Sequence, residues 1–204
     1  MRFFYILEVN ILLLSLMIKS LSIHRGDQII SLPTANTDDL IFSRAVILLT
    51  EHNNDGSVGF ILNKPLDLTV GDLLPHIESS FTIYDGGPVQ KNRLYYIHSK
   101  PELIPDSIHI VDDLYWGVEF DELPRLLVEG LLSKSDIRFF LGYTGWDCDQ
   151  LKNEIYDNFW VTSNHLGTEN IFSQSPKDLW KNSLAKLGKK YSLWLNAPEN
   201  PNFN

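Results

Sequence analysis

From Asp27 onward the apolar residues arrive in short β-branched clusters, each closed by turn chemistry, and this pattern limits the fold more than any other feature. Runs of that kind match strands, because a helix needs apolar residues recurring at three- and four-residue spacing over a longer window. The sequence predicts strands at Asp27–Leu32 and Arg44–Glu51, joined by the loop Pro33–Leu40. Asn53-Asn54-Asp55-Gly56 then makes a tight turn into Val58–Lys64, a hairpin signal. Pro65 ends that strand, and Thr69 caps a short helix over Val70–Leu74. Phe81–Tyr84, Arg93–His98, Ser107–Val111 and Leu114–Val118 are further strands, with Gly86-Gly87-Pro88 breaking the chain between the first two.

Helical spacing comes late and briefly. Asp121 caps a helix running to Glu129, with Pro124 in its first turn, Leu123, Leu126 and Leu127 inward, and Gly130 as its left-handed stop. Asp136–Leu141 is almost unbroken apolar after Arg138 and reads as a central strand buried on both faces. Gly142–Trp146 reads as a turn, Asp147–Asn158 as a helix with Leu151 and Ile155 on one face, and Phe159–Thr162 as a returning strand. Pro176–Gly188 is a helix with Leu179, Trp180, Leu184 and Leu187 inward. The elements mix α and β, and no repeat or linker divides residues 23–204, so one domain is expected there.

Composition narrows the function. Hydrophobic residues make up 44% of the 204 and aromatics 12%, enough apolar area to offset chain entropy. Seventeen basic residues against 26 acidic ones give a formal charge of −9, which repels phosphate backbones and anionic membranes and argues against nucleic-acid partners. Cys148 is the single cysteine, and no histidine pair stands at ligand spacing, so neither a disulfide, a metal site nor a cofactor is expected. Val9–Ile18 is an apolar stretch about half as long as a spanning helix requires, so no stable membrane span is expected. Residues 1–22 read as an apolar extension, either signal-like or upstream of a start at Met17; the latter fits a cytoplasmic domain with a lone thiol.

Several segments carry candidate chemistry. Glu51-His52, at a strand end, has the residue types of an acid/base pair, but neighbours on a strand point to opposite faces and do not converge. A turn with satisfied polar groups is the simpler account. Cys148 sits where a helix start lowers a thiol pKa, between two aspartates that raise it. Asp147 and Asp149 occupy the place of an anion and read as acids that stabilise the first helical turn. The glycines of Asp85-Gly86-Gly87-Pro88 serve a turn or a close backbone approach. Tyr95-Tyr96 with Tyr143 and Trp146 have the makings of a polar-aromatic cleft.

The motifs recur together in a known set: Gly26-x-x-Ile29-Ile30-Ser31-x-Pro33, Glu51-His52-x-x-x-Gly56-x-x-Gly59-x-Ile61-x-Asn63-Lys64-Pro65, Gly86-Gly87-Pro88-Val89, and Gly142-Tyr143-x-Gly145-Trp146 with Gln150-Leu151, Glu154-Ile155 and Trp160. In that order they resemble the YqgE/AlgH family of bacterial proteins, commonly labelled transcriptional regulators. The resemblance runs from about Gly26 to the end. It implies an α+β fold in which a mixed, largely antiparallel sheet curls into a bifurcated, barrel-like body with flanking helices. No catalytic residues follow from it. Where the family usually has glycine before Gln-Leu, this chain has Asp149, which weakens any anion-cradling scheme there. The label of regulator meets neither a helix-turn-helix nor a basic stripe in this sequence.

The expectation is therefore a binding or regulatory protein that meets a small molecule or protein partner through Glu51, His52, Asn63, Lys64, Gly86, Gly87, Tyr143, Gly145 and Trp146. The competing expectations are a hydrolase using His52 or Cys148, and direct DNA binding.

Overall fold

The computed structural model describes residues 22–33, 40–74, 77, 79–163 and 168–195. The first strands are Gln28–Ser31 (β1), Val46–Asn53 (β2), Gly56–Ile61 (β3), Pro65–Thr69 (β4), Thr82–Asp85 (β5) and Val89–His98 (β6). Ile108–Val111 (β7), Leu114–Gly117 (β8), Ile137–Asp147 (β9) and Trp160–Ser163 (β10) follow. Helices span Val70–Leu73 (α1), Leu123–Val128 (α2), Gln150–Tyr156 (α3), Thr168–Ser173 (α4), Pro176–Lys186 (α5) and Ser192–Leu195 (α6). Residues 1–21, most of Pro33–Leu40, His76, His165 and the tail Asn196–Asn204, which the sequence reading also covered, lie outside the described residues.

The strands form one mixed, largely antiparallel sheet in the order β10-β1-β2-β3-β9-β6-β8-β7, with β4 and β5 off this path. It branches at β9. The second half of β9, Thr144–Asp147, pairs with β3, while Ile137–Leu141 pairs with β6 on one side and, in parallel, with β5 on the other through Phe139–Leu141. This branching is the bifurcation that the family resemblance implies, and the sheet curls without closing by hydrogen bonds.

Both faces of the middle strands are covered, which is why Val46–Leu49 is apolar without alternation. Ile30, Leu48, Phe60, Ile97 and Phe140 point into a central core closed by Leu179, Trp180 and Leu184 of α5. Their neighbours Ile29, Ile47, Leu49 and Ile61 point into a second core with Trp146, Leu151 and Trp160. A third core packs Ile83, Tyr96 and Phe139 against Leu123 and Leu126 of α2. Arg138 is 6% exposed within β9; its guanidinium donates to the carbonyls of Leu62 (2.9 Å) and Phe172 (3.3 Å) and lies 4.5 Å over the Tyr84 ring. The charge is thus spread over two carbonyl dipoles and a ring face.

Five sequence expectations are corrected. Gly142–Trp146 is a continuation of β9 and not a turn: Gly142 takes φ +70 inside the strand, and β3 holds the following residues in register. The helix after it starts at Gln150 and ends at Tyr156, because Asp149 turns the chain with φ +60 and Asn158 leaves it with φ +61. Pro65 opens β4, an edge position where its missing N–H is tolerated. Strand β6 begins at Val89, four residues before Arg93. The helix after Asp121 keeps its first-turn proline and its stop at Gly130 (φ +68), although Glu122 holds the cap position and makes no side-chain cap bond.

Candidate functional site

The β2–β3 hairpin carries a local irregularity that sets the direction of its tip. Register slips between Leu49 and Glu51, so Thr50 is an extra residue in β2, and its hydroxyl donates to the Val58 carbonyl (3.3 Å). Beyond this bulge His52 stands opposite Ser57, and Ser57 stands opposite Trp146 in β9. Opposed residues share a face, so His52, Ser57 and Trp146 form one row on the side of the second core. Glu51, Val58 and Gly145 form the next row, on the other face. As the sequence predicts, Glu51 and His52 do not converge.

At the end of the first row lies a cavity of about 430 Å³ lined by the hairpin tip and by the turn between β9 and α3. His52 and Ser57 form one wall; Asp147, Cys148, Asp149 and Lys152 face them. The His52 Nδ1 lies 2.7 Å from the Ser57 hydroxyl. Burial, reinforced by the Lys152 ammonium, lowers the His52 pKa below its ordinary value, so the ring is neutral at neutral pH. The neutral ring and the hydroxyl share one hydrogen bond, in which the tautomer of the ring sets which of the two donates. Lys152 donates to the Asp149 carboxylate at 2.9 Å in an exposed pair at the start of α3. Asp147 also lines the cavity, and its N–H donates to Gln150 Oε1 (3.0 Å). The thiol of Cys148 is exposed on the same turn.

Beneath the cavity Glu154 fixes the helix to the sheet. One of its oxygens accepts the indole N–H of Trp146 (2.8 Å) and of Trp160 (2.7 Å), and the other accepts from Gln150 Nε2 (2.8 Å). The two indoles meet edge to face at 5.9 Å. Replacing Glu154 by leucine is expected to cost about 2 kcal/mol, since two nearly buried donors lose their acceptor. Chemical denaturation measures it, and an unchanged midpoint would show that the clamp is not what holds α3.

The remaining residues singled out from sequence are dispersed. Asn63 is a brace: its Oδ1 accepts the Val46 N–H (2.9 Å) and its Nδ2 donates to the Arg44 carbonyl (2.8 Å). Lys64 Nζ donates to the Ser43 carbonyl at 2.6 Å. Gly86 and Gly87 press against Gly142 and Tyr143 at the sheet branch. Tyr143 meets Tyr95 edge to face at 5.7 Å on the central core, while Tyr96 faces the third core and Trp146 the second. The aromatic cleft expected from sequence is therefore divided among three cores. His52 alone of that set lines the cavity, and with it come Asn54, Ser57 and Lys152, which the sequence reading did not single out as site residues. The parity change at Thr50, which aims His52 at Ser57, leaves no mark in the residue pattern. Among the described residues no group of three His, Cys, Asp or Glu side chains is placed to hold a metal ion, and no helix is long and apolar enough to cross a membrane.

A family model described as AlgH-like matches residues 29–192. A UPF0301 protein of Parabacteroides distasonis is 41% identical over 169 residues, covering 81% of this chain and 85% of the relative. Another, from Bacteroides fragilis, is 38% identical over 182 residues, covering 88% and 91%. Among solved structures, the AlgH protein of Pseudomonas aeruginosa superposes with a TM-score of 0.67 at 24% identity, covering 85% of this chain and 94% of its own. A crystal structure of a Corynebacterium diphtheriae protein gives 0.70 at 19% identity, covering 86% and 93%. At those identities the structural likeness speaks for the fold.

Proposed function

The chain belongs to the AlgH-like family, and we propose that it is a cytoplasmic binding protein that takes a small polar molecule in the cavity between the β2–β3 tip and the β9–α3 turn. One observation carries this: side chains from two separate elements meet around about 430 Å³, a volume suited to a small ligand. The lining is rich in acceptors. With Lys152 committed to Asp149, the Asp147 carboxylate leaves the site with a net negative charge, which favours a ligand bearing N–H or O–H donors, an amine above all. Regulation would follow if occupancy moved the short α3, whose seat is the Glu154 clamp.

Native mass spectrometry on protein isolated from its own cells tests the reading. A defined mass increment is expected, and the double replacement His52→Ala, Asp147→Asn is expected to remove it while circular dichroism stays unchanged. An increment that survives the double replacement, or a bare chain that also shows no shift in hairpin-tip NMR resonances with an amine panel, overturns it.

A second reading rests on the 2.7 Å contact between a neutral His52 and the Ser57 hydroxyl, beside the exposed Cys148. This pairing of base and nucleophile is the minimum for acyl transfer, and it supports a hydrolase. Ester hydrolysis that persists unchanged in His52→Ala and Cys148→Ser variants would remove that reading.

A further inference from the structure

On the far side of the sheet from the cavity, two polar side chains sit in the central core with unpaired atoms. Gln28 is 1% exposed, and neither its amide oxygen nor its amide nitrogen has a hydrogen-bond partner among the described residues. The buried indole N–H of Trp116 likewise has none. Register places them in one neighbourhood. Gln28 stands opposite Leu48, and Leu48 opposite Phe60, so the three side chains share a face. The Trp116 ring packs 6.1 Å from the Phe60 ring on that face. Two residues before Gln28, a Cβ on Gly26 would stand 2.6 Å from the Cβ of Val111, so the β7–β8 hairpin that carries Trp116 closes over the start of β1.

Strand β1 is fully buried, and an amide there without partners opposes folding as strongly as a lost hydrogen bond. An isolated glutamine is hard to reconcile with such a position; one that shares a bridging molecule with a facing donor is not. Buried waters typically take about three hydrogen bonds from groups of this kind. We propose that a sealed water site lies between Gln28 and Trp116, the water oxygen accepting the indole N–H and the water exchanging hydrogen bonds with the Gln28 amide. The site pins the β7–β8 hairpin, at one end of the open sheet, to β1, one strand in from the other end, where no ladder joins them. It is independent of the cavity on the opposite face.

Water-selective NMR on the full chain reads the site directly. A cross-peak from the Trp116 Nε1 proton to a water held longer than the tumbling time is expected, and Gln28→Met is expected to abolish it. In a double-mutant cycle of Gln28→Met and Trp116→Phe, the folding constants should depart from independence by about fivefold or more, the mark of residues that share a partner. No long-lived water in the wild type overturns the proposal, and so does Gln28→Met raising stability with independent effects, since that is the behaviour of a simply orphaned amide. The wild-type spectrum decides alone if a variant does not fold.

Discussion

Gly86→Ala is expected to cost about 4 kcal/mol or to prevent folding, the range reserved for a few identifiable lesions. A Cβ at Gly86 would stand 2.1 Å from the carbonyl oxygen of Gly142 and 3.0 Å from the Cβ of Phe140. Neither obstacle is the loose end of a side chain. The oxygen belongs to the strand at the sheet branch, and Gly86 is itself laced into both neighbours: its N–H donates to the Leu141 carbonyl (2.8 Å) and its carbonyl accepts from Ile61 (3.1 Å). Relief would have to part β9 from the segment after β5 and break those bonds. Two controls separate this packing lesion from a general dislike of lost glycine. Gly130 has φ +68 but nothing within 4 Å of its Cβ position, so alanine there should cost only about 1 kcal/mol of backbone strain. Gly145 meets only the edge of the Tyr143 ring at 3.5 Å, an ordinary contact, and Gly145→Ala should change stability by less than about 0.5 kcal/mol. Urea denaturation of the three variants gives the order directly, and a Gly86 variant no weaker than the Gly130 variant would refute the close-approach account.

That comparison shows why the glycine motifs were readable and yet misplaced. Gly142-x-x-Gly145 looks like a turn former in a linear sequence, whereas Gly86-Gly87 fits either a turn or a close backbone approach. The structure uses Gly86, Gly87 and Gly142 so that two backbones can touch, a demand that arises only when distant segments meet. Strand existence was legible because burial on both faces leaves unbroken apolar runs such as Val46–Leu49 and Phe139–Leu141, and the hairpin was legible from Asn53–Gly56. The start of helix α3 was not: Asp149 takes φ +60 where the family resemblance implies glycine, and an aspartate there hides the bend. At the cavity, His52 was visible as a residue type, whereas its partner Ser57 depended on the bulge at Thr50. Arg138 was visible too, but its guanidinium rests on the carbonyls of Leu62 and Phe172, and no side-chain pattern announces backbone acceptors.

The second large effect is a loss of stability in mild acid that traces to His98. This residue is fully buried at the end of β6, between the rings of Tyr96 and Tyr115, each 5.8 Å from its own. The Lys100 N–H donates to His98 Nδ1 at 3.1 Å, so in the neutral ring the proton sits on Nε2, which has no partner among the described residues. Charging the ring would place a cation in this apolar setting and turn Nδ1 from acceptor to donor. Burial therefore lowers the pKa from 6.5 to about 4, against the pull of the Glu102 carboxylate in the other direction. The unfolded chain binds this proton near pH 6.5 and the folded chain only near 4, so the neutral-ring preference supports the fold fully above pH 6.5. It is lost progressively as the pH falls from 6.5 to 4, at about 1.4 kcal/mol per pH unit, and amounts in all to about 3 kcal/mol. Below pH 4 both states hold the proton and the contribution no longer changes. Carboxylates such as Asp136, whose pKa burial raises but its hydrogen bonds with Ser133 and the Lys100 charge together lower, add their own losses chiefly below pH 4. A variant isolates the histidine: His98→Asn keeps an acceptor near the Nδ1 position and removes the titration. Unfolding free energies of both chains between pH 4 and 7.5 should converge on acidification, with the wild type falling more steeply, and parallel curves would show that His98 titrates alike folded and unfolded.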